Sequence, residues 1–592
     1  MKTSSTPDPQ YSADTSAKEP RSINILAKAL SLFKDIPWIH ARLPKVETIS
    51  NVEAFKQLLR ELIDDASQEE QIALVRGLCK TLDERMAIRG ADGGRSDFWI
   101  FPAEAKDLQV AYEQKFGWPF LISMAGPRHR GTSPELLVQA IEQRIENPFL
   151  IELRESLLQA HRMVEHELSL HLGIVPTWGY RVWDDCDALA KHSEDPNGTT
   201  VTFQSQAHKA VSAQLKEMFM DAGFDEVFID AIGNVVGRYH SANDGQSVYL
   251  LTGSHYDTVR NGGAFDGRVG IFIPLEFVRK LATECRRLSF GIELVAFSEE
   301  EGVRFPATFL GSSALVGDFQ EAWLNLADSD GVSLQSALSQ GGLASSIEEI
   351  KQLRRAPGNY VGFVEVHIEQ GPVLYQAGLP LGVVTAINGS RRYKLKLSGQ
   401  ASHAGTTPMN CRRDVACAAA EIVLFAEGAA SQRESSVATV GILSVPHGSI
   451  NTVPGTCELS LDIRAPKDDD RDALAEAIFT EIENICKRRQ IRVEHSEVLR
   501  VAAAPCDAQL RDCWIDSLND LGLPVISLPS GAGHDAMKIH QMLPQAMLFV
   551  RGENNGISHN PAESTNSYDL QLAFETFERF CLRLAGQGVS DE

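Results

Sequence analysis

Residues 247–267 read SVYLLTGSHYDTVRNGGAFDG, an apolar run that leads into a histidine, two aspartates and several glycines. The run predicts a buried strand, because it combines apolar and β-branched side chains and stops at turn-forming residues. A helix-like stretch follows at 269–283, and a second apolar run, FGIELVAF, follows at 290–297. Strands that alternate with helices predict an α/β domain built on a largely parallel sheet.

Four further motifs follow predicted strands and contain the residue types that bind metal ions. They are FSEEEGVRF (297–305), VEVHIEQG (364–371), SGAGHDA (530–536) and GISHNPAE (556–563). In parallel sheets, functional side chains gather beyond the carboxyl ends of the strands. We therefore expect the histidines and carboxylates of these motifs to lie close together.

The type and number of these side chains predict a two-metal hydrolytic site. Two divalent ions about 3.5–4 Å apart polarise a carbonyl and activate water at neutral pH. A bridging carboxylate holds such a pair, and histidines or carboxylates complete each ion. The predicted roles are Asp266 as the bridge, His255 and His367 on one ion, Glu301 and His559 on the other, and Glu300 as the general base. Asp257 is predicted to accept the second ring N–H of His255.

Each motif alone also has a plain structural explanation. A histidine after a strand is more often a structural or surface residue, and SEEEG can be an acidic turn that caps a helix. Five motifs in one order, each after an apolar run, favour the metal site over that explanation.

Residues 388–500 are predicted to form an inserted unit. Their apolar patterns predict strands and helices in the order β-α-β-β-α-β, which is typical of the ferredoxin-like arrangement. Arg464 in this unit is a candidate to grip a substrate carboxylate, and His403 and Asn451 are candidate donors to an oxyanion. Gln370, three residues after His367, is a fourth candidate for substrate contact. Taken without the metal motifs, the lid residues are better explained as a surface arginine, a loop histidine and a turn former.

The first part of the chain has a different pattern. Residues 22–172 are predicted to be mostly helical, because apolar residues recur at helical spacing through much of this range. Residues 1–21 are polar and rich in Pro, Ser and Thr, which predicts a disordered tail without the apolar core of a signal peptide.

Net charge, apolar run length and cysteine spacing restrict the kinds of partner and the cellular compartment that the sequence predicts. The 592 residues carry a formal net charge of -23, which argues against nucleic acid or an anionic membrane as the main partner. No apolar run approaches the roughly 18 residues that a membrane-spanning helix requires. Ten cysteines without a C-x-x-C pair predict reduced thiols in a cytoplasmic protein.

Taken together, the motifs resemble the allantoate amidohydrolase and N-carbamoyl-L-amino acid hydrolase group of the dinuclear aminoacylase-like metallopeptidases. The resemblance covers residues 180–590 and includes HAGTTPM (403–409) and INTVPG (450–455) besides the motifs above. It implies a catalytic α/β domain at 173–387 and 501–592, with an inserted lid at 388–500 that also forms a homodimer.

The family roles fall on the residues assigned above. The resemblance implies two divalent ions, zinc or manganese, on His255, Asp266, Glu301, His367 and His559, with Glu300 as the base. It also implies that Gln370, His403, Asn451 and Arg464 contact substrate, and that the lid histidine reaches the neighbouring subunit's site.

The helical segment resembles, more faintly, the decarboxylase that acts on 2-oxo-4-hydroxy-4-carboxy-5-ureidoimidazoline. The best stretch is AYEQKFGWPFLIS (111–123). That family has a catalytic His-Pro about where this chain reads VRGLCKTLDE (75–84), which contains no histidine. We therefore expect a degenerate decarboxylase-like domain at 22–172, with an unrelated helical extension as the alternative.

This combination favours one substrate among several. A urate-pathway relative joined to an amidohydrolase favours allantoate, a small ureide, which would be cleaved to ureidoglycine, ammonia and carbon dioxide. The alternatives are an N-carbamoyl-L-amino acid hydrolase, a β-ureidopropionase, and a non-catalytic binding protein with a vestigial site.

Overall fold

The computed structural model describes residue 33 and the ranges 36–42, 52–78, 105–122, 134–172, 176–196, 198–242, 248–344 and 346–586. The predicted tail at 1–21 lies outside these residues, and so do residues 79–84 of the stretch compared with the decarboxylase site. The described residues divide into two compact units: residues 33–122 and 138–172 form one, and residues 134–137 and 176–586 form the other.

The described secondary structure of the first unit is helical. Its helices are α1 (Pro37–Arg42), α2 (Val52–Asp64), α3 (68–78), α4 (Ala105–Phe116), α5 (Pro134–Ile145) and α6 (Phe149–Leu172). A buried polar network joins three of them: Arg144 donates to Glu152 Oε1 at 2.6 Å, and Tyr112 donates to the same oxygen. The indole N–H of Trp118 donates to Ser156 at 3.0 Å. Each polar group therefore has a partner, as burial requires.

The second unit is built on a twisted mixed sheet with helices packed against it. Its helices are α7 (Thr177–Ala190), α8 (Gln206–Asp221), α9 (Val269–Thr283), α10 (Leu310–Val316), α11 (Leu334–Gln340), α12 (Ile347–Lys351), α13 (Val373–Ala377), α14 (Val415–Ser431), α15 (Asp468–Arg489), α16 (Ala508–Asp520), α17 (Asp535–Ile539) and α18 (Ser567–Leu584). Among them, α9 is buried along most of its length, with Phe277 packed edge-to-face on Phe577 of α18. Of the helices that the structure describes, none combines the length and apolar character needed to cross a membrane.

The main sheet has the strand order β1-β2-β4-β3-β5-β16-β6-β14, and β15 also pairs with β6. Its strands are β1 (Glu226–Ile229), β2 (Val235–Tyr239), β3 (Tyr249–His255), β4 (Gly291–Phe297), β5 (Tyr360–Ile368), β6 (Leu381–Ile387), β14 (Ala504–Pro505), β15 (Ser527–Ser530) and β16 (Gln545–Val550). The four central strands β4, β3, β5 and β16 are mutually parallel.

The prediction of a largely parallel sheet is wrong at both edges. β1 pairs antiparallel with β2, and β2 pairs antiparallel with β4. β16 also pairs antiparallel with β6. The connection between β1 and β2 covers only 230–234, which is too short for the crossover that parallel neighbours need.

Between β6 and β14 the chain forms a separate antiparallel sheet with the order β10-β12-β7-β13, and β9 also pairs with β12. Its strands are β7 (Gly389–Ser398), β9 (Val437–Thr439), β10 (Leu443–Ser444), β12 (Thr456–Ala465) and β13 (Arg492–Val501). The helices α14 and α15 cover one face, with Ile422 and Ile478 in the shared core. We call residues 388–500 the lid; it also contains a separate two-stranded antiparallel sheet, β8 (Ser402–His403) with β11 (Thr452–Val453).

Arg471 ties the base of the lid together where the chain enters and leaves it. Only 2% of its side chain is exposed, and its guanidinium donates to Asp468 at 2.6 Å and to the carbonyl of Val501 at 2.7 Å. Asp468 in turn accepts from the backbone N–H of Ala503 at 2.8 Å. A side chain on Gly389 would lie 2.6 Å from the same guanidinium, so the entering strand must have glycine there.

Replacing Arg471 with methionine should loosen the lid. Loss of the charge-assisted bonds costs roughly 2 kcal/mol, which predicts a fall of about 30-fold in the protection of β7 and β13 amides in native-state hydrogen exchange. Arg492→Met is the matched control, since that side chain is 76% exposed and pairs with Glu494 at the surface. Equal protection in the two variants would contradict this role for Arg471.

Candidate metal centre

Three parallel neighbours in the sheet deliver most of the predicted metal ligands. His255 is the last residue of β3, and His367 is the penultimate residue of β5. Glu300 and Glu301 follow the end of β4 by three and four residues. Because these strands are adjacent, their carboxyl ends bring the side chains to one place.

His559 reaches the same place by a different route from the one predicted. It does not directly follow a strand: β16 ends at Val550, and a short turn at Asn554–Gly556 intervenes. His559 has a left-handed backbone, with φ of +54°, which non-glycine residues rarely adopt. Its side chain is about half exposed, whereas His255 and His367 are buried.

Asp266 lies at the centre of the group and faces two sets of side chains. Its Oδ1 lies 3.2 Å from Nε2 of His367 and 3.7 Å from Nε2 of His255. Its Oδ2 lies 3.1 Å from Nε2 of His559, which in turn lies 3.4 Å from Glu301. One carboxylate is therefore shared between two groups of nitrogen and oxygen donors.

These donors fit a pair of divalent ions. The ligand atoms of His255, Asp266 and His367 all lie within 4.8 Å of one another, and so do those of Asp266, Glu301 and His559. Imidazole and carboxylate ligands in such sets suit zinc or manganese. The side chains predicted for each ion are the ones that the fold brings together.

Asp257 has a different contact from the predicted one. Nδ1 of His255 lies 3.0 Å from the backbone carbonyl of Asp257, and 3.5 Å from its carboxylate. The carboxylate instead accepts the backbone N–H groups of Glu300 and Glu301, at 3.0 and 3.1 Å. The residue thus fixes the tautomer of His255 through its main chain and holds the acidic turn with its side chain.

Glu300 is buried among other carboxylates. Burial, followed by the charge of Glu301, holds the pKa of Glu300 well above its ordinary value. Burial and the charge of Asp266 raise the pKa of Glu301 to about 7. Burial raises the pKa of Asp266, but hydrogen bonds from His367 and His559 lower it by a larger amount. The pKa of Asp266 is therefore well below its ordinary value.

Gln370 lies against the shared carboxylate. It has a positive φ of +57°, and its amide N–H₂ donates to both oxygens of Asp266, at 3.1 and 3.0 Å. The sequence predicted a substrate contact here. In the structure its amide instead contacts the carboxylate that the two groups of metal ligands share.

Two residues of the centre had no predicted role. Glu365 and His534 are buried, and their ligand atoms lie within 4.8 Å of each other and of His367. Glu365 accepts from Ser254 at 2.7 Å, and the ring of His534 packs on His367 with centroids 4.4 Å apart. Both lie in motifs quoted above, VEVH and SGAGHDA, so the signal was present without a role attached to it.

The predicted lid donors stand apart from this cluster. His403 in β8 and Asn451 just before β11 are exposed, and among the described residues no hydrogen bond or ion pair joins them to the metal-centre side chains. Nδ1 of His403 accepts the backbone N–H groups of Gly405 and Thr406, at 3.1 and 3.2 Å. The neutral ring therefore has its proton on Nε2, which points its donor outward.

Arg464 links the lid to the loop after β15. Its guanidinium makes a two-pronged contact with Asp462, at 3.2 and 2.9 Å, and Nη1 donates to the carbonyl of Gly531 at 2.7 Å. A cavity of about 480 Å³ adjoins this contact and is also lined by Arg392 and Lys394.

Comparisons with known proteins agree with this geometry. Residues 251–583 match the family model for peptidase family M20/M25/M40. The chain is 36% identical over 407 residues to an N-carbamoyl-L-amino acid amidohydrolase of Geobacillus stearothermophilus, covering 69% of this chain and 98% of that protein. It is 36% identical over 416 residues to allantoate deiminase 1 of Glycine max, covering 65% and 85%.

A solved structure extends the likeness to the fold. The crystal structure of an amidase of the hydantoinase/carbamoylase family from Burkholderia multivorans has a TM-score of 0.65 and 29% identity, covering 69% of this chain and 98% of that protein. The chain therefore belongs to peptidase family M20/M25/M40, a family of dinuclear metal-dependent hydrolases that act on C–N bonds.

Proposed function

We propose that the chain uses two divalent ions, zinc or manganese, to hydrolyse a ureido group of allantoate: one C–N bond breaks to release ammonia, and the carbamate that remains loses carbon dioxide to give ureidoglycine. The observation that carries this proposal is the position of Asp266, whose two oxygens face two different ligand sets. All the proposed metal ligands are present, and the proposed base Glu300 lies beside them. Both facts argue against a vestigial binding site. The names of the relatives support both allantoate and N-carbamoyl-L-amino acids as substrate classes.

Two bound ions would polarise the ureido carbonyl and make water more acidic. Glu300, which lies beside the proposed ligands His255 and Glu301, would then take the proton from the attacking water and return it to the departing nitrogen. Burial excludes bulk water from this carboxylate, so the proton stays within the site.

The lid residues would bind and orient the substrate. Arg464 has N–H groups left beyond its bonds to Asp462 and Gly531, and they can grip a carboxylate. The Nε2–H of His403 and the side chain of Asn451 are donors for a developing oxyanion. Gln370 adjoins both ligand sets and can contact the ureido group.

We further propose that the lid serves a homodimer. His403 and Asn451 are exposed, and so is the whole of Ile450 beside Asn451, which supports a role in a second subunit's site. The proposed division is a helical decarboxylase-like domain at 22–172, a catalytic domain at 173–387 and 501–592, and a lid at 388–500. The passage from β6 to β7 and the return from β13 to β14 support these lid limits.

Allantoate is proposed over the N-carbamoyl amino acids because the helical segment resembles a urate-pathway decarboxylase. Ammonia release by manganese- or zinc-loaded protein should give a kcat/KM at least about tenfold higher for allantoate than for any N-carbamoyl-L-amino acid, a gap of about 1.4 kcal/mol. A higher kcat/KM for an N-carbamoyl-L-amino acid would support the same chemistry and would replace allantoate as the proposed substrate. No release from either class by protein with two bound ions would refute the proposed substrate class.

Glu300→Gln should lower kcat by about 10²- to 10⁴-fold, because it removes the proton acceptor and keeps the shape of the side chain. Metal content, measured by mass spectrometry, should remain at two ions, since Glu300 is not a proposed ligand. Glu299→Gln is the neighbouring control, because Glu299 is equally buried and has no proposed contact with substrate. Undiminished turnover by Glu300→Gln would show that the base is another group.

The shared-site proposal can be tested by mixing two inactive variants. Glu300→Gln lacks the base and His403→Ala lacks the lid donor, but a mixed dimer would contain one complete site. Equal mixing with subunit exchange should restore about a quarter of the parent activity. His495→Ala, at another exposed lid histidine, should stay active by itself. Failure to regain activity in mixed dimers, isolated by affinity tags, would exclude sharing between subunits.

A further inference from the structure

Glu563 connects the two loops that bring the shared carboxylate and His559 to the metal centre. It ends the GISHNPAE motif, is 5% exposed, and lies about 300 residues from Asp266 in sequence. Its Oε1 accepts the backbone N–H groups of Phe265 and Asp266, at 2.9 and 3.0 Å. A side chain near the carboxyl end of the chain thus holds the backbone of Asp266, which lies much earlier in the sequence.

The other oxygen of Glu563 holds the second loop. Ser558, the residue before His559, donates to Oε2 at 2.7 Å, and its hydroxyl also lies 3.4 Å from Oδ2 of Asp266. The backbone N–H of Glu563 donates to the carbonyl of Asn560 at 3.0 Å, which closes a turn that directly follows His559. His559 has the positive φ described above, a conformation that needs its surroundings to hold it.

Gly263 shows how closely the first loop lies against this side chain. A Cβ on Gly263 would be 2.2 Å from Oε1 and 2.4 Å from Cβ of Glu563. These distances are far below van der Waals contact, so only glycine fits. The loop that contains Gly263 and Asp266 therefore packs directly against the Glu563 side chain, and its position depends on Glu563.

We propose that Glu563 is a positioning residue for the dinuclear centre: its carboxylate clamps the Asp266 loop and the His559 loop in register, so that one carboxylate can serve two ions. This inference rests on the proposed metal centre and assigns Glu563 no direct contact with metal or substrate. Its role is that of two acceptor oxygens at fixed positions. Groups that orient metal ligands in this way typically contribute 10- to 100-fold to metal affinity.

Four variants separate acceptor geometry from charge and from folding. Glu563→Gln keeps an acceptor for both N–H groups, and Ser558 can accept from its amide. Glu563→Asp keeps the charge but withdraws the acceptors by about 1.5 Å, one bond length. Glu563→Ala removes them. Glu553→Gln is the matched control, because Glu553 is buried in the same connection and accepts from Ser564 at 3.1 Å.

The measurement is uptake of Mn²⁺ by metal-free, full-length protein, followed by the electron paramagnetic resonance signal of the free ion. We expect parent, Glu563→Gln and Glu553→Gln to take up two ions with affinities within about threefold of one another. The Asp and Ala variants should bind the second ion about 10- to 100-fold more weakly. Thermal unfolding of the metal-free proteins identifies any variant that fails to fold, and the Asp variant keeps the test valid if the Ala variant does.

Two results would overturn the clamp alone: two ions bound by folded Asp and Ala variants with parent affinity, or a loss in Glu563→Gln as large as in Glu563→Ala. The second result would assign the effect to charge. Binding of no Mn²⁺ by the parent would instead overturn the metal centre together with the clamp.

Discussion

The shared carboxylate of Asp266 imposes the constraint around which the catalytic unit is arranged. It is buried within a few ångströms of Glu301 and three histidines, where an uncompensated negative charge is costly. The chain compensates with imidazoles on both oxygens and with the amide of Gln370. The guanidinium of Arg268 is fully buried close to Asp257, Asp266 and Glu563, and among the described residues it makes no hydrogen bond. It acts there as a countercharge rather than as a donor.

The position of this centre follows from strand order. β3, β4 and β5 are parallel neighbours, so a histidine or an acidic turn at each carboxyl end arrives at one place without a special loop. A fourth parallel strand, β16, adds the connection that includes His559 and Glu563. The antiparallel strands on either side of this arrangement, β1 and β2 at one edge and β6 and β14 at the other, supply none of the proposed metal ligands.

The sequence predicted the parts that depend on local pattern and left out those that depend on distant contacts. His255 and His367 were predictable because each ends a buried strand, and the signal lies within a few neighbouring residues. The route of His559 was not, because no local pattern shows a turn with positive φ held by a glutamate beyond it. Asp257 shows the same limit: H-x-D suggested a carboxylate–imidazole pair, but its carboxylate is taken by two backbone N–H groups more than 40 residues away. The sheet edges were mispredicted because pairing direction depends on loop length as well as on apolar runs.

The proposed metal ligands and the proposed substrate donors differ in how deeply they are buried, and this difference has a chemical reason. The metal-binding side chains are mostly buried at strand ends, since ligand geometry tolerates only small displacements. The proposed substrate donors His403 and Asn451 are exposed at the paired strands β8 and β11, and Arg464 contacts the loop after β15 through one carbonyl, that of Gly531. A substrate must enter and leave, so donors for it are expected on exposed segments, whereas metal ligands are expected at fixed, buried positions. In the proposed site the strand ends therefore hold the side chains for the hydrolytic chemistry, and the lid, whose base Arg471 ties together, holds the donors proposed to bind the substrate.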